Sequence, residues 1–564
     1  MGRVLCVVAV VVLSRAAAVE AGEATAPVSI GDEETIVFYG DSITEQNLYS
    51  AYLETFLLSR FPNKHLATFN FGWGGDTASG GTRRLHRDVA PVEPSLIFVN
   101  FGMNDGGYKA FDQATFDWYL KSQAELADAI AKLGAKEVLF TTSPVDADVR
   151  ADGGVYNQTL SRLGEGLRAF GQERDVPVID LFRPMLEVQQ RAKKQRSDFT
   201  MIPDAVHPDP VGHLVMAYIG LRGIDAPRRV GEIVVDAAEV RGSDAARVSD
   251  VKALYGGAGF NLTLDFLPFY VPPEARPALA LVPFQEELNH FVLRRKVAVG
   301  EDTSRSWVLS VDGTTAGIFS ADDLTNGIDL ALLDRAPWSV AGRRLWEAAQ
   351  YRWEKHQESW RGMGLEPTPT MLPELASFAA FRTAQRAHSD AMGHAFQSLV
   401  RPGTHRIRLA PLGETVPIDS VALSPTYRFD QDFDSVHPPE QDPSTVEWTS
   451  AAFENDQIDL GAHYASASDV VAYARIVVEA DEACAMHLSL GSDDGLAVFL
   501  DGKRVFAHDV MRGMRPGEDE VEVILSAGRH ALLFKVTQGG GGFGLAVQAR
   551  VYGTATVRQV APTP

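Results

Sequence analysis

Short apolar runs alternate with longer amphipathic segments over residues 35–225. Four of the runs are bounded by turn residues and predict buried strands, at 35–39, 95–101, 137–142 and 176–181. Segments with helical spacing lie between them, over 116–133 and 156–170. This alternation predicts an open parallel sheet covered by helices on both faces, with functional side chains in loops beyond the carboxyl ends of the strands.

The pattern changes after residue 225. Short strand-like runs with Gly and Asp turns predict a β-rich accessory region over 226–335. Residues 336–402 are rich in Ala, Leu, Arg, Glu and Gln around Pro367 and Pro369, which predicts a helical hairpin. Residues 445–553 again favour strands and predict an antiparallel β-sandwich.

Four tryptophans recur in the first arm of the predicted hairpin at spacings of eight, seven and seven, close to two helical turns: Trp338, Trp346, Trp353 and Trp360. A stripe of this kind packs against a core more often than it forms a ligand platform, so we expect core packing.

The N-terminus has the pattern of a secretory signal peptide. Arg3 precedes a run of ten apolar residues, and small residues follow up to Ala21, where we expect cleavage. Ten apolar residues are too few to span a bilayer, and no later stretch approaches the roughly 20 that are needed. We therefore expect residues 1–21 to be removed and the protein to be secreted or kept in a bacterial periplasm or cell envelope.

Composition and charge limit the number of domains, the kinds of partner and the kinds of site that the chain can have. The 564 residues are enough for about three domains. A net charge of −22 argues against nucleic acid as a partner, because phosphate backbones are bound by clustered Lys and Arg. Cys484 is the only cysteine left after the predicted cleavage, which excludes an intramolecular disulfide and a multi-cysteine metal site. A large exported chain without disulfides fits a bacterial envelope.

Four short motifs follow one another in the first predicted domain. Gly-Asp-Ser ends at Ser42 directly after the first strand, and the later motifs present Gly75, Asn104 and the pair Asp204 and His207. A serine hydroxyl needs a base to become a nucleophile, and an imidazole titrates near neutral pH. Asp204 and His207 are three residues apart and can share one turn, so the carboxylate can orient the imidazole.

These four motifs, in this order, resemble the blocks of the SGNH (GDSL-like) hydrolase family over about residues 33–225. The resemblance implies a flavodoxin-like three-layer α/β/α domain and a triad of Ser42, His207 and Asp204. It also implies three oxyanion donors, the backbone N–H groups of Ser42 and Gly75 and the side-chain amide of Asn104.

Each motif alone has a structural explanation. Ser42 can cap a helix, Asp204 and His207 can share a loop hydrogen bond, and Asn104 and Gly75 can serve turns. Asp41 and Asp209 are other carboxylates near the triad, and we expect Asp41 to be structural. We also expect His213 to be a packing or capping residue inside the last helix of the domain.

The C-terminal region resembles the jelly-roll sandwiches of the protective-antigen and glycosidase-insert type, many of which bind carbohydrate. The resemblance rests on the runs around Gly491, Leu500 and Leu525. The adjacent Asp493 and Asp494 could hold calcium, but neighbouring strand residues point to opposite faces, so a turn is favoured. No histidines stand at a metal-ligand spacing, and we expect neither a catalytic metal nor a cofactor.

The combination favours a secreted carbohydrate esterase that removes O-acetyl groups, with an acylated carbohydrate as its partner. A lipase or an acyltransferase could use the same triad, and a non-catalytic carbohydrate-binding envelope protein is the alternative outside enzymes. We expect the C-terminal region to be dispensable for turnover of small soluble esters.

Overall fold

The computed structural model describes residues 27–561 except 151, 153, 237–238, 299–302, 363–395, 397–398, 400 and 466–467. The predicted signal peptide, residues 1–21, and most of the second arm of the predicted hairpin therefore lie outside the described residues. None of the helices in the described part of the chain is both long and apolar enough to cross a membrane.

In its described residues, the first domain has seven strands and seven α-helices. The strands are β1 (Val28–Ser29), β2 (Glu33–Gly40), β3 (His65–Gly72), β4 (Leu96–Asn100), β5 (Lys136–Phe140), β6 (Val178–Ile179) and β7 (Ile224–Asp225). The helices are α1 (Ser42–Glu45), α2 (Tyr49–Arg60), α3 (Ala78–Asp88), α4 (Gln113–Lys132), α5 (Val155–Arg174), α6 (Phe182–Gln195) and α7 (Pro210–Arg222).

Five of these strands form a parallel sheet in the order β3-β2-β4-β5-β6. This is the flavodoxin-like order, and it confirms the predicted fold class. The predicted strand at 176–181 is shorter than expected, since only Val178 and Ile179 pair with β5 at the edge of the sheet.

Helices cover both faces of this sheet. Successive side chains along β2 point to opposite faces, so the strand contacts the helices on each side. Phe38 packs edge-on against Tyr49 of α2, whereas the hydroxyl of its neighbour Tyr39 donates to the Gly81 carbonyl of α3. Strand β2 lies between β3 and β4. The chain therefore runs from β2 to its neighbour on one side, β3, and then crosses to the neighbour on the other side, β4. The crevice at the carboxyl ends of β2 and β4 is therefore the topological switch point, where such sheets bind ligands.

The accessory region contains strands β8–β15 and helices α8 and α9, and helix α10 follows it. The strands are β8 (Arg229–Asp236), β9 (Glu239–Gly242), β10 (Ala246–Leu254), β11 (Gly257–Leu264), β12 (His290–Lys296), β13 (Trp307–Val311), β14 (Thr314–Phe319) and β15 (Ile328–Asp329). The helices are α8 (Phe284–Leu288), α9 (Ala321–Asn326) and α10 (Pro337–Gly362). Helix α10 is the predicted first arm of the hairpin, and Trp338, Trp346 and Trp360 are buried on it, in agreement with core packing.

The C-terminal region is antiparallel. Its strands are β16 (Thr404–Val416), β17 (Ser420–Leu423), β18 (Tyr427–Arg428), β19 (Thr449–Ala452), β20 (Gln457–Asp459), β21 (Val470–Ala480), β22 (Cys484–Asp493), β23 (Leu496–Leu500), β24 (Lys503–His508), β25 (Asp519–Leu525), β26 (Gly528–Gln538), β27 (Gly544–Tyr552) and β28 (Val557–Gln559). Two short helices are α11 (Pro438–Gln441) and α12 (Leu460–His463). A turn at Asp501 and Gly502 joins β23 to β24, with both residues at positive φ.

One nine-stranded sheet crosses the predicted boundary between the accessory region and the sandwich. Its order is β10-β11-β16-β13-β14-β25-β22-β27-β20. Arg408 of β16 forms a buried ion pair with Glu522 of β25, and Ser310 of β13 donates to the same carboxylate at 2.9 Å. Strands far apart in sequence thus share hydrogen bonds and a buried charge pair.

This sheet changes the expected result of truncation near Gln441. Removing the later residues takes Glu522 away from the buried Arg408, and breaking such a pair costs about 3–5 kcal/mol. It also uncovers Val308 and Ala410, which pack against Ala485 and Tyr552. We expect the truncated protein to have a lower Tm and to aggregate, and its turnover of small acetyl esters to fall together with its turnover of acetylated polysaccharide. A monomeric truncated protein with the Tm and small-ester turnover of the full chain would contradict this.

Candidate active site

Ser42 lies at the sharp turn between β2 and α1. The carboxylate of Asp41 caps α1 by accepting the Ile43 N–H at 3.0 Å, so Asp41 has the structural part expected of it. Gly40 has no room for a side chain, because a Cβ there would lie 2.2 Å from Thr44 Oγ1 and 2.4 Å from the Asn100 carbonyl oxygen. The strand can therefore turn directly beneath Ser42, whose side chain is half-buried.

The loop before α7 brings His207 to Ser42. His207 Nε2 is 2.8 Å from Ser42 Oγ, and His207 Nδ1 is 2.6 Å from Asp204 Oδ2. The side chain of His207 is 33% exposed and that of Asp204 55% exposed, so the pair faces solvent. Three residues that are up to 165 positions apart in sequence thus form one hydrogen-bonded chain.

The hydrogen bonds of Asp204 determine which imidazole nitrogen carries the proton. Partial burial raises the pKa of Asp204, but the N–H groups of His207 and Val206 and the His207 ring outweigh it and hold the pKa below its ordinary value. An ionised carboxylate only accepts, so Nδ1–H donates to Asp204. Nε2 is then free to accept the proton of the Ser42 hydroxyl.

The same loop is braced from the loop that follows β5. Ala205 has a φ of 75°, a left-handed conformation that is uncommon for alanine. Its carbonyl accepts the Asp146 N–H at 3.0 Å, and the buried Asp146 carboxylate binds Lys193 at 2.6 Å. These contacts hold the turn that contains Asp204 and His207.

Gly75 lies in a tight turn after β3. The Asp76 N–H donates to the Trp73 carbonyl at 3.1 Å, and Gly75 has a φ of 75°. Positive φ at the third residue is the mark of a type II turn, which favours glycine. The hydrogen bond of the turn uses the Asp76 N–H and leaves the Gly75 N–H for another acceptor.

The side chain of Asn104 has a fixed orientation. The Tyr108 hydroxyl donates to Asn104 Oδ1 at 2.9 Å, and Asn104 Nδ2 donates to the Asp76 carbonyl at 2.9 Å. An amide nitrogen has two N–H groups, so the second one remains for a ligand. Tyr108 thus determines which end of the amide is the donor.

A buried arginine connects the loops of the site. Arg84 donates to the carbonyls of Gly40 at 3.0 Å and Phe71 at 2.8 Å, and its Nε binds Asp76 at 2.6 Å. The guanidinium also lies 4.3 Å from the centre of the Tyr39 ring. The end of β2, the end of β3 and the Gly75 turn therefore share one positively charged partner.

Two buried carboxyl groups lie next to the site residues. Burial, with Asp105 and Asp76 nearby, raises the pKa of Asp41 to about 8. Burial also raises the pKa of Asp105 to about 7, although its Oδ1 accepts the Ala78 N–H at 3.0 Å. Asp105 and Asp76 each accept a backbone N–H at the start of α3 and so brace the loop that enters this helix.

Asp209 and His213 lie near His207 in sequence but have other partners. Asp209 caps α7 by accepting the Gly212 N–H at 2.9 Å. His213 is buried, stacks on Tyr49, and accepts the Tyr49 N–H at 3.2 Å through Nδ1. Burial lowers the pKa of His213 to about 3, so this ring stays neutral.

Within the described residues, no group of three or more His, Cys, Asp or Glu side chains could hold a metal ion. A cis peptide joins Asp493 to Asp494. The two carboxylate oxygens of Asp494 accept the N–H groups of Arg512 and Gly539 at 2.9 and 3.0 Å. The carboxylate thus connects the bend between β22 and β23 to two backbone segments that are 18 and 45 residues away in sequence.

Sequence reasoning did not identify Arg84, Tyr108 or Asp146 with Lys193. Arg84 follows Ser42 by 42 residues and carries no local signal, because its three partners meet only when β2 and β3 pair in register.

The fold and the four site motifs define a class, the carboxylic ester hydrolases of the SGNH type. The model of the GDSL-like Lipase/Acylhydrolase family matches residues 38–215, so this part of the chain is a domain of that family. The acetylxylan esterase of Geobacillus stearothermophilus is 23% identical over 217 residues, which cover 35% of this chain and 95% of that protein.

One of the similar solved structures supports the fold. A gut microbial diltiazem-metabolizing enzyme has 23% identity and a TM-score of 0.57, over 68% of this chain and 99% of its own. That likeness extends beyond the hydrolase domain. A crystal structure of the Geobacillus stearothermophilus acetylxylan esterase has 21% identity and a TM-score of 0.29, over 34% of this chain and 95% of its own.

The two site glycines should differ in their response to alanine. Gly40→Ala places a Cβ against fixed backbone and should lower the free energy of unfolding by about 3 kcal/mol. Gly75→Ala meets open space and should cost about 1 kcal/mol, because only its positive φ opposes the change. Urea unfolding of both variants measures the difference. Equal losses would mean that the turn beneath Ser42 can shift to make room.

Proposed function

We propose that this protein is a serine esterase that removes acyl groups, acetyl in particular, from carbohydrates, with Ser42, His207 and Asp204 as its triad. The observation that supports it most directly is the hydrogen-bonded chain from Ser42 Oγ through His207 to Asp204, at 2.8 and 2.6 Å. The esterase class of the domain gives the reaction, and these distances identify candidate groups for it.

Acylation begins with proton transfer. His207 Nε2 takes the Ser42 hydroxyl proton while Oγ forms a bond to the ester carbonyl carbon, and the carbonyl π electrons move to its oxygen. When the tetrahedral intermediate collapses, the bond to the alcohol oxygen breaks and the alcohol leaves with the proton from His207. The acyl group remains on Ser42.

Deacylation repeats these steps with water. His207 takes a proton from water as the water oxygen bonds to the acyl carbon, and the Ser42 oxygen leaves with that proton. Asp204 stabilises the imidazolium in both halves of the reaction, because its carboxylate accepts Nδ1–H throughout. The products are a carboxylic acid and free enzyme.

The negative oxygen of each tetrahedral intermediate needs donors. We assign the backbone N–H groups of Ser42 and Gly75 and the amide of Asn104 to this role. The type II turn leaves the Gly75 N–H unused, and the contacts with Tyr108 and Asp76 direct the Asn104 amide. Fixed donors of this kind stabilise a transition state without reorganising.

The substrate class rests on two supports. The catalytic region is similar to an acetylxylan esterase, and the C-terminal sandwich resembles modules that often bind carbohydrate. The N-terminal pattern supports action outside the cytoplasm, in the medium, periplasm or cell envelope of a bacterium. A lipase would instead prefer long acyl chains, and an acyltransferase would transfer the acyl group to an alcohol in place of water.

Ser42→Ala should abolish ester hydrolysis and leave the fold intact. The variant removes the nucleophilic oxygen but keeps the turn, because the Asp41 cap does not use the Ser42 side chain. Turnover is measured on short and long nitrophenyl esters and on acetylated xylan, with circular dichroism as the folding control. More than about a tenth of wild-type kcat would sink the nucleophile assignment, since triad loss typically costs roughly 10⁶ in kcat. Preference for long esters would favour a lipase.

Asp204→Asn and Asn104→Ala should both lower kcat more than they change KM, because both groups act in the transition state. In the serine protease template the first change costs roughly 10⁴ in kcat, and the half-exposed position of Asp204 should reduce that loss. Loss of one oxyanion donor should cost about 10² to 10³. Both variants are measured on one activated acetyl ester. Near-wild-type turnover of Asp204→Asn would exclude Asp204 as the orienting acid.

A further inference from the structure

Helix α10 lies along the hydrolase domain although it follows the accessory region in sequence. Near its middle, Trp346 stacks on Tyr52 of α2 with ring centres 4.9 Å apart. Farther along, Arg352 forms a buried ion pair with Glu54 of α2 and also donates to Thr68 of β3 at 2.6 Å. The helix therefore has a defined position on the domain.

The last turn of α10 contacts the segment that leads to Gly75. Trp360 packs edge-on against Phe71 of β3 and against Trp73, with ring centres 5.3 and 5.4 Å apart. His356, one turn earlier, also packs against Phe71 at 5.2 Å. Trp360 is only 6% exposed, so this contact removes most of a large aromatic ring from water.

Trp73 links this contact to the site. Its N–H donates to the Gly40 carbonyl at 3.0 Å, and its own carbonyl closes the turn that contains Gly75. The next residue, Gly74, is so close to the nucleophile that a Cβ there would lie 4.0 Å from Ser42 Cβ. A shift of the Trp73 ring would move the backbone on which the Gly75 N–H depends.

We propose that Trp360 is a positioning residue of the esterase site, which makes helix α10 part of the catalytic unit. The inference rests on the proposed function. Trp360 holds the Trp73 ring, Trp73 is the first residue of the turn, and the turn orients the Gly75 N–H toward the developing oxyanion. Oxyanion donors must lie within a few tenths of an ångström of their best positions, and a rigid aromatic neighbour limits the movement of the turn.

The same helix supplies a matched control. Trp346 is 9% exposed and also packs on an aromatic ring of the hydrolase domain, but its partner Tyr52 lies in α2 and not in the turn. Trp360→Leu and Trp346→Leu remove similar area from the contact between α10 and the domain. Only the first removes support from Trp73.

The test compares kcat and KM of both variants and of Trp360→Phe on an activated acetyl ester, well below each Tm. Trp360→Leu should lose about tenfold in kcat with little change in KM, part of the 10²- to 10³-fold that follows loss of a whole donor. Trp346→Leu should keep kcat within about twofold, and Trp360→Phe should recover most of the loss. The rate at which a phosphonate ester labels Ser42 should fall in parallel with kcat.

Equal kcat values for Trp360→Leu and Trp346→Leu, or a failure of phenylalanine to recover activity, would overturn the inference. If Trp360→Leu does not fold, Trp360→Phe is compared with Trp346→Phe, and equal kcat values again overturn it. Failure of the proposed function is distinguishable, because the wild-type protein would then hydrolyse no ester and the phosphonate would leave Ser42 unlabelled.

Discussion

The guanidinium of Arg84 binds three segments of the chain: the end of β2, the end of β3 and the turn around Gly75. Each brings a carbonyl or a carboxylate that would be costly to bury alone. One cation under the site satisfies all of them, because a guanidinium has five donors in a fixed plane. The relative positions of Ser42, Gly75 and Asn104 depend on this shared partner, since Asp76 binds both Arg84 and the amide of Asn104.

Much of the site could be predicted from the sequence because its chemistry lies in short motifs at strand ends. Ser42 directly follows a strand, and Asp204 and His207 are close enough to share a turn, so local order already implied proximity. The supporting residues could not be found in this way. Asp146 acts through its backbone N–H on Ala205, and a backbone contact between two loops leaves no mark on residue type.

The fold outside the hydrolase domain was harder to predict for a related reason. Strands β13 and β14 have clear local signals, and the hairpin around Asp312 follows from them. Their outer partners are far away in sequence, as Trp307 opposite Pro411 and Thr314 opposite Val521 illustrate, and periodicity within a strand does not identify its neighbour. The tryptophan stripe of α10 could be interpreted only in part for the same reason. Its spacing indicated that the tryptophans are buried but did not indicate which surface Trp360 packs against.

The nine-stranded sheet also determines the order in which the chain can fold. The parallel sheet of the hydrolase domain closes within the first 180 residues and needs none of the later strands. Strand β14, by contrast, stays an open edge until β25 has been synthesised, and β16 lacks one partner until β27 exists. Unpaired edges attract other chains while they wait. The middle third of this protein therefore keeps unpaired strand edges, which favour aggregation, until strands of the final third pair with them.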